Sequence, residues 1–231
     1  RGDTMKTKFY VMHYKKNVER RARLEPILEE MGIDATWYTD YDKNELSEAV
    51  IDTYCDINLD LFKERTLGMY EEVDYDGYKG PTMGHISLCI KHIKCMEDLV
   101  SSDYDNAVFL EDDVIFHGTK ADIINSLNTV EEVPYDALFF GGGFDHGLVS
   151  NRVCASYKNL LLVDHPATNC TSSYALTKSA AEKVLGTFTT ICTSIDWELN
   201  YHFKENKLKV WHTDPYLCGQ LSTAGVYECT L

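Results

Sequence analysis

Three carboxylates in a row, Glu111-Asp112-Asp113, follow directly on the apolar run Ala107-Val108-Phe109-Leu110. Such a run reads as a buried strand, and in open α/β sheets ligands bind beyond the carboxyl ends of strands. Adjacent carboxylates repel one another unless solvent or a cation offsets their charge. A hard divalent ion such as Mn2+ or Mg2+ prefers carboxylate oxygens and can also take the oxygens of a diphosphate. The plain alternative is a solvated acidic turn. Asn17, Arg20 and Arg21 follow the first apolar run and concentrate basic groups in an acidic chain. At the opening of a helix they can meet a diphosphate, helped by the helix amides. Otherwise they form a solvated helix face.

Other residues carry weaker signals. Asp40 ends a second strand candidate, where nucleotide folds place a carboxylate on a ribose hydroxyl, or where a turn simply needs a polar residue. Asp196 and Glu198 lie in the first turn of a short helix around Trp197. Helix-dipole stabilisation alone accounts for acids there. Functionally, one acid can serve as general base while Trp197 stacks on a sugar ring. His85 and His92 share a helix face with Leu88 and Cys95, where a buried structural histidine is the ordinary reading. His212 follows a late strand and precedes Asp214-Pro215, so it is either a surface histidine or a metal ligand through one imidazole nitrogen. The glycines from Gly141 to Gly143 would let a sugar approach the backbone closely.

The elements that must position these groups alternate. Lys8 to Met12 reads as a strand, and Leu24, Ile27, Leu28 and Met31 recur at helix spacing with Gly32 as a stop. Pro26 is expected to kink that helix or delay its start. Ala35 to Tyr38 reads as a second strand, which suggests a βαβ unit. Residues 41–80 look like a long acidic loop with one short helix near Leu59 to Arg65, able to cover a site. Ile86, Cys89, Ile90, Ile93 and Met96 form an apolar helical stripe capped by Thr82. Later strands are expected at Ala137 to Phe140, Leu160 to Val163, Ser172 to Leu176 and Leu208 to Trp211. Helices capped by Thr177 and Ser194 are expected at Lys178 to Leu185 and up to Phe203.

The composition narrows the function. The chain has 231 residues and a net charge of −15, from 22 basic and 37 acidic residues. Nucleic-acid binders need clustered Lys and Arg, so this class is disfavoured, as is an anionic membrane surface. No stretch approaches the ~20 apolar residues of a membrane span, and no signal peptide is visible. Together these predict a cytoplasmic protein. Arg1 to Thr4 reads as an appended remnant ahead of a start at Met5. The eight cysteines form no zinc-ribbon pairs, and reduced thiols are favoured over a disulfide framework.

In order along the chain, Phe9 to Met12 with Asn17, Arg20, Arg21 and Arg23, then Tyr38-Thr39-Asp40, Gly84 to His92, and Phe109 to Asp113 make a pattern. It continues in Ser173 to Leu176, Ala181 to Leu185 and Ile195-Asp196-Trp197. In this pattern the chain resembles glycosyltransferase family 25, which contains lipopolysaccharide and collagen galactosyltransferases. The resemblance implies an α/β fold, a single GT-A (Rossmann-like) domain over residues 5–231, with a mixed, mostly parallel central sheet flanked by helices. Residues 5–140 would be the nucleotide-sugar half and 141–231 the acceptor half. It implies a UDP-sugar donor, a glycan or glycoconjugate acceptor, and Mn2+ or Mg2+. Glu111 and Asp113 would then hold the metal with His212. Asn17, Arg20, Arg21, Asp40, His92 and Asp112 would bind the donor, and Asp196 or Glu198 would act as base. His85 and Lys91 depart from many relatives. Two other classes compete: a non-catalytic sugar or nucleotide binder on the same scaffold, and a Mg2+-dependent phosphotransfer domain using Asp112 or Asp113.

Overall fold

The computed structural model of the protein describes residues 5–67, 73–141 and 152–222. Residues 1–4, Gly142, Gly143 and Cys229 therefore lie outside the described residues. The strands are β1 (Thr7–Met12), β2 (Ala35–Tyr38), β3 (Asn106–Glu111), β4 (Val114–Phe116), β5 (Ala137–Phe139), β6 (Val153–Tyr157), β7 (Leu160–Val163), β8 (Ser173–Thr177), β9 (Val210–Thr213) and β10 (Cys218–Gln220). The helices are α1 (Val18–Glu30), α2 (Glu48–Tyr54), α3 (Leu59–Thr66), α4 (Met83–Ser101), α5 (Lys120–Val130), α6 (Lys178–Thr187) and α7 (Ile195–Glu205).

Eight strands form one sheet in the order β2-β1-β3-β8-β5-β9-β7-β6. Only β7 and β8 run against the direction of the others. This is the mixed, mostly parallel, Rossmann-like sheet expected. Strand alternation sends Phe9, Val11, Val108 and Leu110 to one face, where Leu24 and Leu28 of α1 and Ile123 and Leu127 of α5 cover them. Tyr10, Met12, Ala107 and Phe109 go to the other face, under α4, α6 and α7. Helices on both faces explain why β1 and β3 are apolar runs rather than alternating ones. No described helix is long and apolar enough to cross a membrane. All seven cysteines among the described residues are free thiols.

Local signals mostly acted as expected. Gly32 takes φ +63° just after α1, the left-handed stop that glycine adopts without strain. Pro26 lies inside α1, which runs through it. Thr82 caps α4 in a reciprocal box in which the N3 partner is His85, whose Nδ1 accepts from the Thr82 amide. Among the described residues of 41–80, α3 is the short helix expected near Leu59 to Arg65, and α2 is an additional one that was not. Ser47 accepts from the Val50 amide to start α2, and Asn58 accepts from the Asp60 and Leu61 amides to start α3. These caps compensate for short, acidic sequences that carry little apolar periodicity. The pairing of β4 with β10 and the edge strand β6 were also not foreseen.

Gly141 has a packing role. A Cβ there would lie 2.2 Å from the Cys218 carbonyl oxygen, so its smallness admits β10 rather than a sugar.

Candidate active site

The register of β1 on β3 sets Met12 opposite Glu111. The residues just past these strand ends therefore meet. Together with the start of α1 and the first turns of α4 they line an open cleft.

One wall is acidic. Asp113 is buried, with Oδ2 3.8 Å from Arg20 Nη1 and Oδ1 without a hydrogen-bond partner among the described residues. Glu111 accepts from Thr171 Oγ1 at 2.7 Å and more distantly from Gln220 Nε2 at 3.4 Å. Burial, and then the charge of Asp113, pushes the Glu111 carboxyl up to about 8. The charges of Asp112 and Asp196 add to that push. An orphaned buried carboxylate oxygen beside a carboxyl that resists ionisation is costly for a fold unless a cation is expected there.

The other wall is basic. Arg20 Nη1 donates to Asp112 Oδ1 at 2.8 Å. His13 Nδ1 lies 2.8 Å from Asp112 Oδ2. Burial opposes ionisation of Asp112, but hydrogen bonds from His13 and Arg20 outweigh it and hold the carboxyl below its ordinary value. Arg23 Nη2 donates to the backbone oxygens of Asp112 and Val114, which fastens α1 over the acidic turn. Asn17 and Lys43 also line the cleft. Lys91, buried in α4, donates to the His13 carbonyl and to Asp42 Oδ1. Burial lowers the Lys91 pKa against the pull of Asp42.

Not every expected residue comes to this cleft. Arg21, next to Arg20 but about 100° around the helix, pairs with Glu25 at 2.9 Å and lies over the Trp37 ring. Asp40 is exposed and does not line the cleft. His92 is fully buried, with Nδ1 2.7 Å from Tyr174 Oη and its ring stacked on Tyr174 and Phe109. His212 is also fully buried; its Nε2 bonds the Ala167 carbonyl at 2.7 Å and its ring stacks on Phe139. Asp196, in the first turn of α7, is partly buried, and burial pushes its carboxyl up. Glu198 is sealed in the interior by Arg65 and the Cys192 and Thr193 amides. Trp197 stacks along Phe62, with ring centroids 6.2 Å apart.

Sequence reasoning missed His13, Asp42, Lys43, Thr171 and Gln220 as neighbours of the site, and placed no role on Lys91. A usable signal existed for His13 alone, as the residue directly after a buried first strand.

The residues present fit a hard divalent cation in a limited way. Among the described residues no group of three His, Cys, Asp or Glu side chains is arranged to hold a metal. Glu111 and Asp113 supply two carboxylates, and Mg2+-type sites commonly use one or two, with water and phosphate oxygens completing the shell.

The buried histidines make stability sensitive to acid. Burial holds His92 at about 3, so it stays neutral in the fold but takes a proton near 6.5 when unfolded. The unfolded chain then binds more protons below pH 6.5, and stability falls as pH falls. The stability advantage of wild type over His92→Gln should shrink by roughly 1 kcal/mol per pH unit between pH 6.5 and 4. Urea melts of both proteins across that window check it, and a constant gap would contradict a neutral buried His92.

No protein-family model matches the chain. Over 137 residues, 57% of this chain, it is 26% identical to a protein of Drosophila pseudoobscura pseudoobscura named Glycosyltransferase 25 family member. The match covers 20% of that protein, so the chain spans about a fifth of the length of the curated relative it matches. Among solved structures it is similar to CMP:2-keto-3-deoxy-manno-octonic acid synthetase complexed with CTP, at 9% identity and TM-score 0.46, over 90% of this chain and 88% of that one. It is also similar to A197 from STIV, at 12% identity and TM-score 0.43, over 90% and 81%. A third is apo UDP-glucose pyrophosphorylase, at 11% identity and TM-score 0.42, over 90% of each chain. In sequence the chain resembles glycosyltransferase family 25.

Proposed function

We propose that the chain is a metal-dependent glycosyltransferase that moves a hexose such as galactose from a UDP-sugar to a hydroxyl of a glycan or glycoconjugate, with inversion. The observation that carries this reading is the two-walled cleft. Buried Asp113 sets Oδ2 3.8 Å from Arg20 on the basic wall, while its Oδ1 has no hydrogen-bond partner among the described residues. That is the charge pattern a cation bridged to a diphosphate needs. The relative named Glycosyltransferase 25 family member supports sugar transfer as the chemistry.

In this reading Glu111 and Asp113 hold Mn2+ or Mg2+, which when bound supplies positive charge to the departing diphosphate. Arg20 and Asn17 receive phosphate oxygens at the opening of α1. The acceptor oxygen attacks the sugar C1, the bond from C1 to the phosphate oxygen breaks, and UDP leaves. Asp196, outside the cleft lining but near enough that its charge raises Glu111, takes the acceptor proton, its raised pKa making it a better base at neutral pH. Glu198, His92 and His212 belong to the scaffold, given their buried partners. Asp112 is engaged by Arg20 and His13, which speaks against a phosphoacceptor role in phosphotransfer.

A thermal-shift screen of UDP, GDP and CMP sugars with and without Mn2+ tests this. A ligand present at 100 times its Kd should add about 3 kcal/mol of stability. UDP-sugars with Mn2+ should raise the melting point most, and the best of them should be hydrolysed or transferred. No shift and no turnover across the panel would sink the reading.

A further inference from the structure

We propose that His13 contacts the ligand directly as an imidazolium, donating from Nε2 to a phosphate oxygen of the nucleotide while Nδ1 donates to Asp112, and that Asp112 is the positioning residue that aims it. This rests on the reading of the cleft as a nucleotide-sugar site and names a contact within it.

His13 is fixed at three of its four polar atoms. Its amide donates to the Tyr38 carbonyl at 3.0 Å. Its carbonyl accepts from the Lys91 ammonium. Its Nδ1 lies 2.8 Å from Asp112 Oδ2, and because a carboxylate oxygen only accepts, Nδ1 carries the hydrogen. Trp37 packs edge-on against the ring, with centroids 5.4 Å apart and planes at 87°, and limits its rotation. The fourth atom, Nε2, has no hydrogen-bond partner among the described residues, and His13 is part of the cleft lining and of a second hollow beside α1. A ring oriented through Nδ1 by a carboxylate offers a phosphate oxygen a second donor at Nε2 in the imidazolium form, in which both nitrogens carry hydrogen.

Asp112 divides its two oxygens between His13 and Arg20, each at 2.8 Å. One carboxylate therefore sets two donors side by side. Both stand on the wall that carries Asn17, Lys43 and the start of α1. That company favours a phosphate oxygen over a sugar hydroxyl as the group received. The competing role is a purely structural staple between the ends of β1 and β3, which would register in stability and not in ligand affinity.

The test is binding of inorganic pyrophosphate to the whole chain by calorimetry, in EDTA and again with Mn2+. The two substitutions separate the two ring nitrogens. Asparagine at this position reaches the Nδ1 site, so His13→Asn keeps the bond to Asp112 and removes the donor in the cleft. Glutamine reaches the Nε2 site, so His13→Gln keeps the cleft donor and gives up the bond. His13→Asn should weaken pyrophosphate binding about tenfold while melting within about 2 °C of wild type. His13→Gln should bind more tightly than His13→Asn. In wild-type protein the 15N resonance of His13 Nε2 should shift on saturation with pyrophosphate. Wild-type affinity in His13→Asn, or an unmoved Nε2 resonance at saturation, overturns the role of His13. If His13→Asn does not fold, the resonance alone decides. Wild-type protein that binds pyrophosphate under neither condition overturns the nucleotide reading itself.

Discussion

Asp113→Ala should lower transfer or hydrolysis of the donor sugar by roughly 10³-fold and abolish its dependence on added Mn2+. The size follows from losing one of the two carboxylates that the cleft offers a cation. The effect on stability should have the opposite sign from an ordinary core truncation. Asp113 is buried at 2% exposure, with one oxygen unpartnered among the described residues and the other 3.8 Å from Arg20. Removing it relieves repulsion from Glu111, whose carboxyl is pushed up partly by that charge. The metal-free variant should therefore melt at or above the wild-type temperature while losing the gain that Mn2+ confers on wild type. Parallel melts with and without Mn2+, alongside turnover, check both arms. Unchanged turnover would remove Asp113 from the metal site, and a large loss of metal-free stability would make it a structural residue instead.

Glu198→Ala should cost about 3–5 kcal/mol, because it leaves the Arg65 guanidinium buried without its counter-charge. For a chain of this length that is a fall in melting point of about 10 °C. Arg65 is 1% exposed and donates to both Glu198 Oε2 and the Thr190 carbonyl. Glu198 Oε1 also accepts from the Cys192 and Thr193 amides, at 2.7 and 3.0 Å. The pair ties α3, from the acidic stretch after β2, to α7. Replacing both partners with apolar residues, Arg65→Met with Glu198→Leu, should recover a large part of the loss. The same series separates a scaffold from a base. If Glu198 is the proton acceptor, the apolar double variant will recover stability yet fail to turn over; as a scaffold residue, its replacement together with Arg65 leaves turnover standing.

Much of the sheet was readable because its strands are buried on both faces. Continuous apolar runs mark β1, β3 and β5, and the rule that sites lie beyond strand ends pointed to Glu111 and Asp113 without knowledge of any partner. Partnerships across long separations were not readable. Nothing in the sequence near Glu198 announces Arg65, 133 residues away, so two acids in a first turn looked equally available for chemistry. Arg20 and Arg21 are adjacent letters, yet the helix turns one toward Asp112 and the other toward Glu25. His92 and His212 drew attention as titratable groups, but burial keeps each neutral, and each bonds through one ring nitrogen. The short helix expected near Leu59 to Arg65 is α3, but α2 was hidden by acidic composition, since a single cap rather than an apolar stripe begins it.

The position of β8 has a consequence for how the chain is made. The three strands β2, β1 and β3 are all present once Glu111 has been synthesised, yet the edge of β3 pairs with β8, which begins only at Ser173. At 5–20 residues per second, that edge waits roughly 3 to 12 s for its partner to emerge. During this interval Val108 and Leu110 belong to a strand whose amides and carbonyls are open on one side, the condition in which strands pair with the wrong chain. Slow or crowded synthesis should therefore yield aggregates seeded at β3, and the carboxylates that follow it also act, before any ligand arrives, as the charge that keeps two such edges apart.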